Sequence, residues 1–574
     1  MKKICCLVLA LMMVLGVCGA YAEAQPAAGM TAGTYTAQAR GYVDMVTVET
    51  TVDGDAIVSV NVVEHNETMG IGTFAVDRMP GAIVAGQSVA VDVVSGATMT
   101  SRAVLNAVTA GLKEAGADVA AFSVPPEKPA PQDQELTTDV IIVGAGGAGL
   151  TAGVEASNNG QKVIVIEKLD TPGGNTIRSS GAFNVAGSPE QVEAQKGRFD
   201  QEAFITYTME GGHDLNNPDL VRFMIESSPA IVEWLKEQGL NPVIGEGYGS
   251  YTTDNMAKGL ILDLIARLES NGGEVMYGIT ATDLIMQDGA AVGILAEAKD
   301  GGKVTINAKS VIIASGGFGG DLEMCVRLKP ELEGFVTDNS LAATGDGIFM
   351  AEAVGAALVD MEQIQSHPTI HQPSSTMLTE GTRTAGGILI NTASKRFTNE
   401  CTYRDVVSAA ILAEEGSKAC LVFDQGVVNS NANIQGYVTQ GLIRPFDTIE
   451  EAAAAMGLDA AILKESVETW NGYVAEQKDP EFASSFNWVR DLSQAPYYAI
   501  WIAPGIHHTM GGIKINERSE VISTADAAIP GLFAAGEVTG GIHGGNRVGG
   551  NAILDILVFG RVAGESAAAY NQEK

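Results

Sequence analysis

The stretch TTDVIIVGAGGAGLTAGVEASNNGQKVIVIEK constrains this chain more than any other. An apolar run at 140–143 enters the glycine loop GAGGAG at 144–149. An alanine-rich segment and a second apolar run at 163–166 follow. Short continuous apolar runs separated by a helix-length segment spell strand, loop, helix, strand, with both strands buried between layers. In such a unit the first glycine of G-x-G-x-x-G, Gly144, makes the tight turn. The second, Gly146, lets backbone N–H groups approach a pyrophosphate, and the third, Gly149, brings helix against strand, with Gly147 and Ala148 completing the loop. Glu167 ends the second strand, where an acid accepts hydrogen bonds from a ribose and repels a 2′-phosphate. The ligand is therefore FAD or NAD rather than NADP, and a packing turn without ligand fits the acid poorly.

At 574 residues the chain is too long for one core and divides into three or four folding units. Its start, MKKICCLVLALMMVLGVCGAYAEAQ, has two lysines, an apolar run at 4–17 and an Ala-Tyr-Ala site, which reads as a secretory signal over 1–22 cleaved after Ala22. The run is shorter than a bilayer span requires. Lipidation at Cys18 is the open alternative, with Val17 poorly suited to it. Three cysteines leave with the leader, and Cys325, Cys401 and Cys420 remain without any C-x-x-C pair, so no disulfide framework, haem, zinc or iron–sulfur site is expected. The formal charge of −34 argues against nucleic acid as partner and suits either a solvated surface or a basic electron-transfer protein.

Residues 33–116 alternate β-branched and polar side chains around an Asp53-Gly54 turn signal, and a helical segment follows at 101–116. SVPPEKPAPQDQE at 123–135 is Pro-rich and reads as a linker. Farther on, QSHPT at 365–369, LTEGTR at 378–383, CTYRD at 401–405 and HHTMGG at 507–512 carry cationic and polar residues that a plain core would not select. With Arg547 they read as a pocket for an anionic substrate. Taken singly, each has a bland explanation, such as a histidine cap or an Arg404–Asp405 pair.

GGNTIRSSGAFN (173–184), VIIASGGFGGD (311–321), ATGDG (343–347) and GLFAAGEVTGGIHGGNRVGGNAILD (531–555) together resemble the soluble fumarate reductase and flavocytochrome family, over everything after the linker. The resemblance implies an α/β fold: a Rossmann-like FAD-binding domain over 137–361 and 506–574 with an inserted α+β capping domain over 362–505. It implies that Lys168, Gly174, Asn175, Thr176, Gly181, Asp346, Glu537, Asn551, Ala552 and Ile553 join the glycine loop and Glu167 around FAD. No histidine stands near GGN, so this FAD is non-covalent. Family roles carry over to His367 and Thr379 for one substrate carboxylate and to His507 and Arg547 for the other. Arg404 is the implied proton donor, resupplied through Glu380 and Arg383; Glu380 also lines the substrate site. Relatives that reduce urocanate replace the histidine of H-P-T, so His367 favours fumarate, with acrylate, methacrylate, urocanate and cinnamate as alternatives.

DVVSGATMTS at 92–101 resembles the flavinylation motif of FMN-binding domains, which a dedicated transferase modifies on the threonine, here Thr98. A helix N-cap at Ser95, Thr98 or Thr100 is the structural alternative. A small α+β FMN-binding domain is thus expected over 31–118, with a linker over 119–136. The whole reads as an exported, periplasmic or cell-surface two-flavin reductase: an external donor reduces FMN on Thr98, which relays electrons to FAD. A flavin dehydrogenase such as a ketosteroid dehydrogenase, and a pure electron carrier, are the rival readings.

Overall fold

A computed structural model describes residues 29–128, 130–194, 200–245, 250–486 and 489–574. The leader expected over 1–22 lies outside them. Two compact units divide the chain, 1–132 and 133–574.

In the first unit the strands Gly33–Arg40, Met45–Val52 and Ile57–Glu64 form an antiparallel meander. The turn between the second and third works as its residues dictate: Asp53 Oδ1 accepts the N–H groups of Asp55 (3.1 Å) and Ala56 (3.0 Å), and Gly54 adopts φ +127°. Two helices, Gly72–Gly86 and Thr98–Glu114, bury Ala75, Met79, Ile83, Val104, Val108 and Leu112 in one core with Val46, Val48 and Ile57 of the sheet. The second helix starts three residues earlier than its apolar periodicity predicts. The linker expected over 119–136 contributes to both units at its ends. Phe122 anchors the turn Ala121–Ser123 in the first core, and Gln134–Thr137 adds a parallel strand beside Lys303–Asn307.

The second unit is built on a six-stranded sheet ordered Glu520–Ile522, Ala528–Ala534, Ser310–Ile313, Val140–Val143, Val163–Glu167, Glu274–Tyr277. All neighbours are parallel except the first pair. Val140–Val143 and Val163–Glu167 are buried along their whole length, which is why their sequences do not alternate. The long helix Asn551–Gln572 lies against Gly147–Asn158; a Cβ on Gly564 would stand 2.4 Å from the Ala152 carbonyl oxygen. A second sheet contains Ile279–Gln287, Ala290–Ala298, Lys303–Asn307 and Gln134–Thr137.

A third sheet centres on the 13-residue strand Tyr497–Thr509, flanked by Ile364–His371 and Ala419–Asp424. Residues between Leu378 and Ile502, with Trp470 fully buried among them, form a separate hydrophobic core. No helix among the described residues is long and apolar enough to cross a membrane.

Candidate active site

The glycine loop does what its spacing requires. Gly144 has φ +108°, and a Cβ there would meet the Ala314 carbonyl oxygen at 2.5 Å; a Cβ on Gly149 would meet the Gly144 oxygen at 2.0 Å. Gly146 instead faces open space, leaving room for a ligand's approach. Both oxygens of buried Glu167 are anchored by backbone, Oε1 by the Leu169 N–H (2.9 Å) and Oε2 by the Ala145 N–H (3.2 Å). Burial raises its carboxyl above the usual range against those bonds.

Of the other residues expected around a cofactor, Thr176 meets this loop and several of the rest pair with one another. Thr176 Oγ1 accepts the Gly147 N–H (3.3 Å), Gly174 has φ +50° with nothing near its Cα face, and Gly181 presses on the Ala257 backbone. Lys168 Nζ donates to Asp346 Oδ2 (2.7 Å) and Thr344 Oγ1 (2.8 Å). Asn175 Nδ2 donates to Glu537 Oε2 (3.3 Å) and Asn339 Oδ1 (2.6 Å), while Glu537 Oε1 accepts the Thr509 N–H (3.0 Å). Asn551 Oδ1 accepts from Asn184 (2.7 Å) at the start of Asn551–Gln572, whose first turn contains Ala552 and Ile553 and offers unpaired backbone N–H groups. An open glycine face and an anchored acid fit a dinucleotide flavin.

Strand pairing assembles the cationic cluster. Ile364–His371 carries His367 and pairs antiparallel with Tyr497–Thr509, which carries His507. The two rings sit 4.9 Å apart, edge to face. His507 Nδ1 lies 2.7 Å from Asp338 Oδ2, which fixes the ring. Burial, reinforced by Arg404, holds His367 well below the usual imidazole range, and burial lowers His507 despite Asp338.

Glu380 is the centre of the site. It begins the short helix Gly381–Thr384, and its carboxylate is divided between two arginines. Arg383 Nη2 donates to Oε1 (3.1 Å), and Arg404 Nη2 donates to Oε2 (2.9 Å). Burial alone would raise this carboxyl, but the two guanidinium groups outweigh it and hold it at about 2. Arg404 Nη1 donates onward to Gln365 Oε1 (3.2 Å), and Gln365 Nε2 donates to Asn546 Oδ1 (2.6 Å) and the Arg547 carbonyl (2.8 Å). Gly549 lies so close that a Cβ would stand 2.5 Å from Glu380 Oε2. Thr379, next to Glu380, gives its N–H to the Tyr437 hydroxyl (3.1 Å).

Arg547 is buried, and burial and Arg404 push it down to about 9. Its Nε and His367 Nε2 are buried without a hydrogen-bond partner. Arg404 crowds Arg547, and Glu380, Glu537 and Asp338 are the acids that act on it, so the open atoms lie among closely packed buried charges. Such a site can bind and polarise a small carboxylate.

Thr98 opens the helix Thr98–Glu114 in the first unit and is half-buried. Ala97, rather than Ser95, Thr98 or Thr100, is the N-cap residue of this helix. Asp92 is exposed and paired with Lys128 (2.8 Å). Sequence reasoning missed Asp338 and Asn339, and singled out the stretch containing Gln365 without giving that residue a role. Asp338 acts through a partner 169 residues away in the chain and Asn339 through one 168 away, and no local motif marks either.

The FAD binding domain family matches residues 139–553 and the FMN-binding domain family matches residues 41–113. The chain therefore belongs to the FAD-binding oxidoreductases of this family, with an FMN-binding domain ahead of the FAD-binding domain. Among its relatives is the NADH:fumarate oxidoreductase of Klebsiella pneumoniae (strain 342), 38% identical over 488 residues, covering 83% of this chain and 52% of that protein; the chain spans about half the length of this relative. The urocanate reductase of Eggerthella lenta is 36% identical over 582 residues, covering 95% of this chain and 93% of its own. The fold is that of a flavocytochrome c3 fumarate reductase solved in an open conformation, with TM-score 0.64, 36% identity, and coverage of 77% of this chain and 79% of that one.

Proposed function

We propose that this chain reduces the C=C bond of an α,β-unsaturated carboxylate, fumarate to succinate first among them. The observation that carries the reading is Glu380 shared by Arg383 and Arg404 beside the unpaired atoms of His367 and Arg547. Adding hydrogen across the bond takes a hydride onto one carbon and a proton onto the other. The glycine loop and Glu167 would hold FAD, whose chemistry would supply the hydride, and Thr98 would carry FMN, whose chemistry would supply the replacing electrons. His367 and Thr379 hold one carboxylate, His507 and Arg547 the other, and their charge stabilises the anionic character that develops on the substrate. Arg404 gives the proton from its guanidinium. Glu380, a carboxylate at rest, passes it a proton taken from Arg383, and Arg383 recovers one from solvent, so the chain ends each cycle in its starting protonation state. Residues 362–505 act as a cap over the substrate that excludes water.

Export on the leader at 1–22, to a periplasm or cell surface, belongs to the same proposal, as do an external electron donor and a flavin transferase acting on Thr98. A second reading, urocanate as substrate, is favoured by the Eggerthella lenta relative that matches nearly the whole chain. Anaerobic reoxidation of the reduced two-flavin protein by fumarate, urocanate, acrylate and cinnamate decides between them. Fastest reoxidation by fumarate supports the paired-carboxylate site. Preference for urocanate or a monocarboxylate removes the second-carboxylate role from His507 and Arg547, and inertness to all four defeats the reductase reading.

A further inference from the structure

We propose that a cleft in the third sheet of the second unit binds a small monocarboxylate with an apolar body, at a site separate from the cationic cluster. The cleft has a volume of about 460 Å³, within the range of small-molecule sites. Its floor is the strand segment from Ala499 to Ala503, and Leu442, Ile443 and Met456 form its walls. None of the cationic-cluster residues lines it.

Two features give the cleft its chemistry. Lys418 and Arg444 both line it, and no aspartate or glutamate does, in a chain with 69 acids against 35 lysines and arginines. Neither cation has a carboxylate within salt-bridge distance among the described residues. Lys418 Nζ rests instead 4.3 Å above the Trp501 ring, and Arg444 stands 5.2 Å over Phe446. A cation held over an aromatic face and left without an acid retains its affinity for an anion.

The cleft is also preformed. Trp501 Nε1 donates to the Met456 carbonyl (3.2 Å), which fixes the indole. Gln372 Nε2 donates to the carbonyls of Ile370 (3.2 Å) and Ala503 (3.0 Å), which fixes the rim. An inorganic anion would waste the apolar floor, whereas an uncharged apolar molecule would leave both cations unanswered. An aryl or alkyl monocarboxylate satisfies both, its carboxylate at Lys418 and Arg444 and its body on Trp501 and Leu442.

The test is calorimetric titration of the flavin-loaded full chain with 3-phenylpropionate, which is saturated and cannot turn over, and with 3-phenylpropanol. The expected result is one carboxylate bound per chain, at least tenfold weaker binding of the alcohol, and at least tenfold weaker carboxylate binding in the K418Q/R444Q double variant. Arg404→Gln leaves this binding unchanged. Leu442→Trp, which fills the cleft without altering its charge, gives the same loss as the double variant and serves if the latter unfolds. Absence of binding, equal binding of the alcohol, or binding lost in Arg404→Gln but kept in K418Q/R444Q overturns the proposal, the last by placing the anion in the cationic cluster.

Discussion

Two buried arginine–carboxylate clusters lie close together in the second unit with opposite stoichiometry. In one, a single carboxylate, Glu380, serves two arginines, Arg383 and Arg404. In the other, a single arginine, Arg396, serves two carboxylates: its Nε and Nη2 donate to Glu400 (2.9 and 2.8 Å), and Nη2 also donates to Asp479 (2.7 Å). The rings of Trp470 and Phe482 cover Arg396 at 4.4 and 5.0 Å. The two carboxylates outweigh burial and keep Arg396 firmly charged. Arg383 Nη1 donates to the Glu400 carbonyl, so the clusters touch. The difference lies in what is left over. Arg396 is held between two acids under two rings, with only Nη1 unpaired, and works as a staple, whereas the Glu380 cluster sets two arginines against one carboxylate and has a path onward through Gln365. Two arginines on one carboxylate mark a site that handles anions and protons.

Substitutions that respect charge in one cluster and break it in the other sharpen this contrast. On the proposed relay, Glu380→Gln would interrupt proton resupply, and turnover is expected to fall by about 10²–10⁴, the usual worth of general acid–base catalysis, with little change in unfolding temperature. Arg396→Ala leaves Glu400 and Asp479 buried without a counter-charge, with backbone N–H groups still donating to them. Denaturant unfolding should show a loss of about 3–5 kcal/mol, with turnover per folded molecule near normal. If Arg396→Ala abolished turnover in folded protein, the staple would belong to the chemistry.

Smaller effects follow for the positioning groups. Asp338→Asn frees the His507 ring, and KM for the dicarboxylate should rise about tenfold, a loss of about 1.4 kcal/mol in binding. An unchanged KM would show that His507 needs no anchor. The acid limb gives the smallest signal. Glu380 is lowered from 4.5 to about 2, so its stabilising contribution is complete above about pH 4.5 and is lost as pH falls toward 2. Asp479, also lowered to about 2, loses its contribution from 3.8 downward. The acid-unfolding profile of Glu380→Gln should therefore keep the Asp479 limb and lose the other.

How much of this was legible in the sequence depends on how local each interaction is. The flavin loop was readable because sterics at Gly144 and Gly149 act within a few residues, and the hairpin at Asp53-Gly54 for the same reason. The motif stretches around His367, Glu380, Arg404 and His507 were readable as unusually polar, but periodicity and spacing contain nothing that makes Glu380 shared by two arginines. That pairing needs Arg404, 24 residues on, brought back by the fold. Asp338 escaped notice because an isolated Asp looks like any surface residue until a distant histidine arrives. The strand Tyr497–Thr509 runs through the boundary expected at 505/506, since a strand buried on both faces does not announce where one core ends and the next begins.

The most direct test of the central claim, that the Glu380 cluster delivers a proton during enoate reduction, is anaerobic reoxidation of the fully reduced two-flavin protein by fumarate, comparing the native chain with Arg404→Ala by stopped-flow absorbance. The account predicts rapid reoxidation by the native chain and a rate lower by about 10²–10⁴ in the variant, with succinate still bound. Equal rates in the two proteins would contradict it.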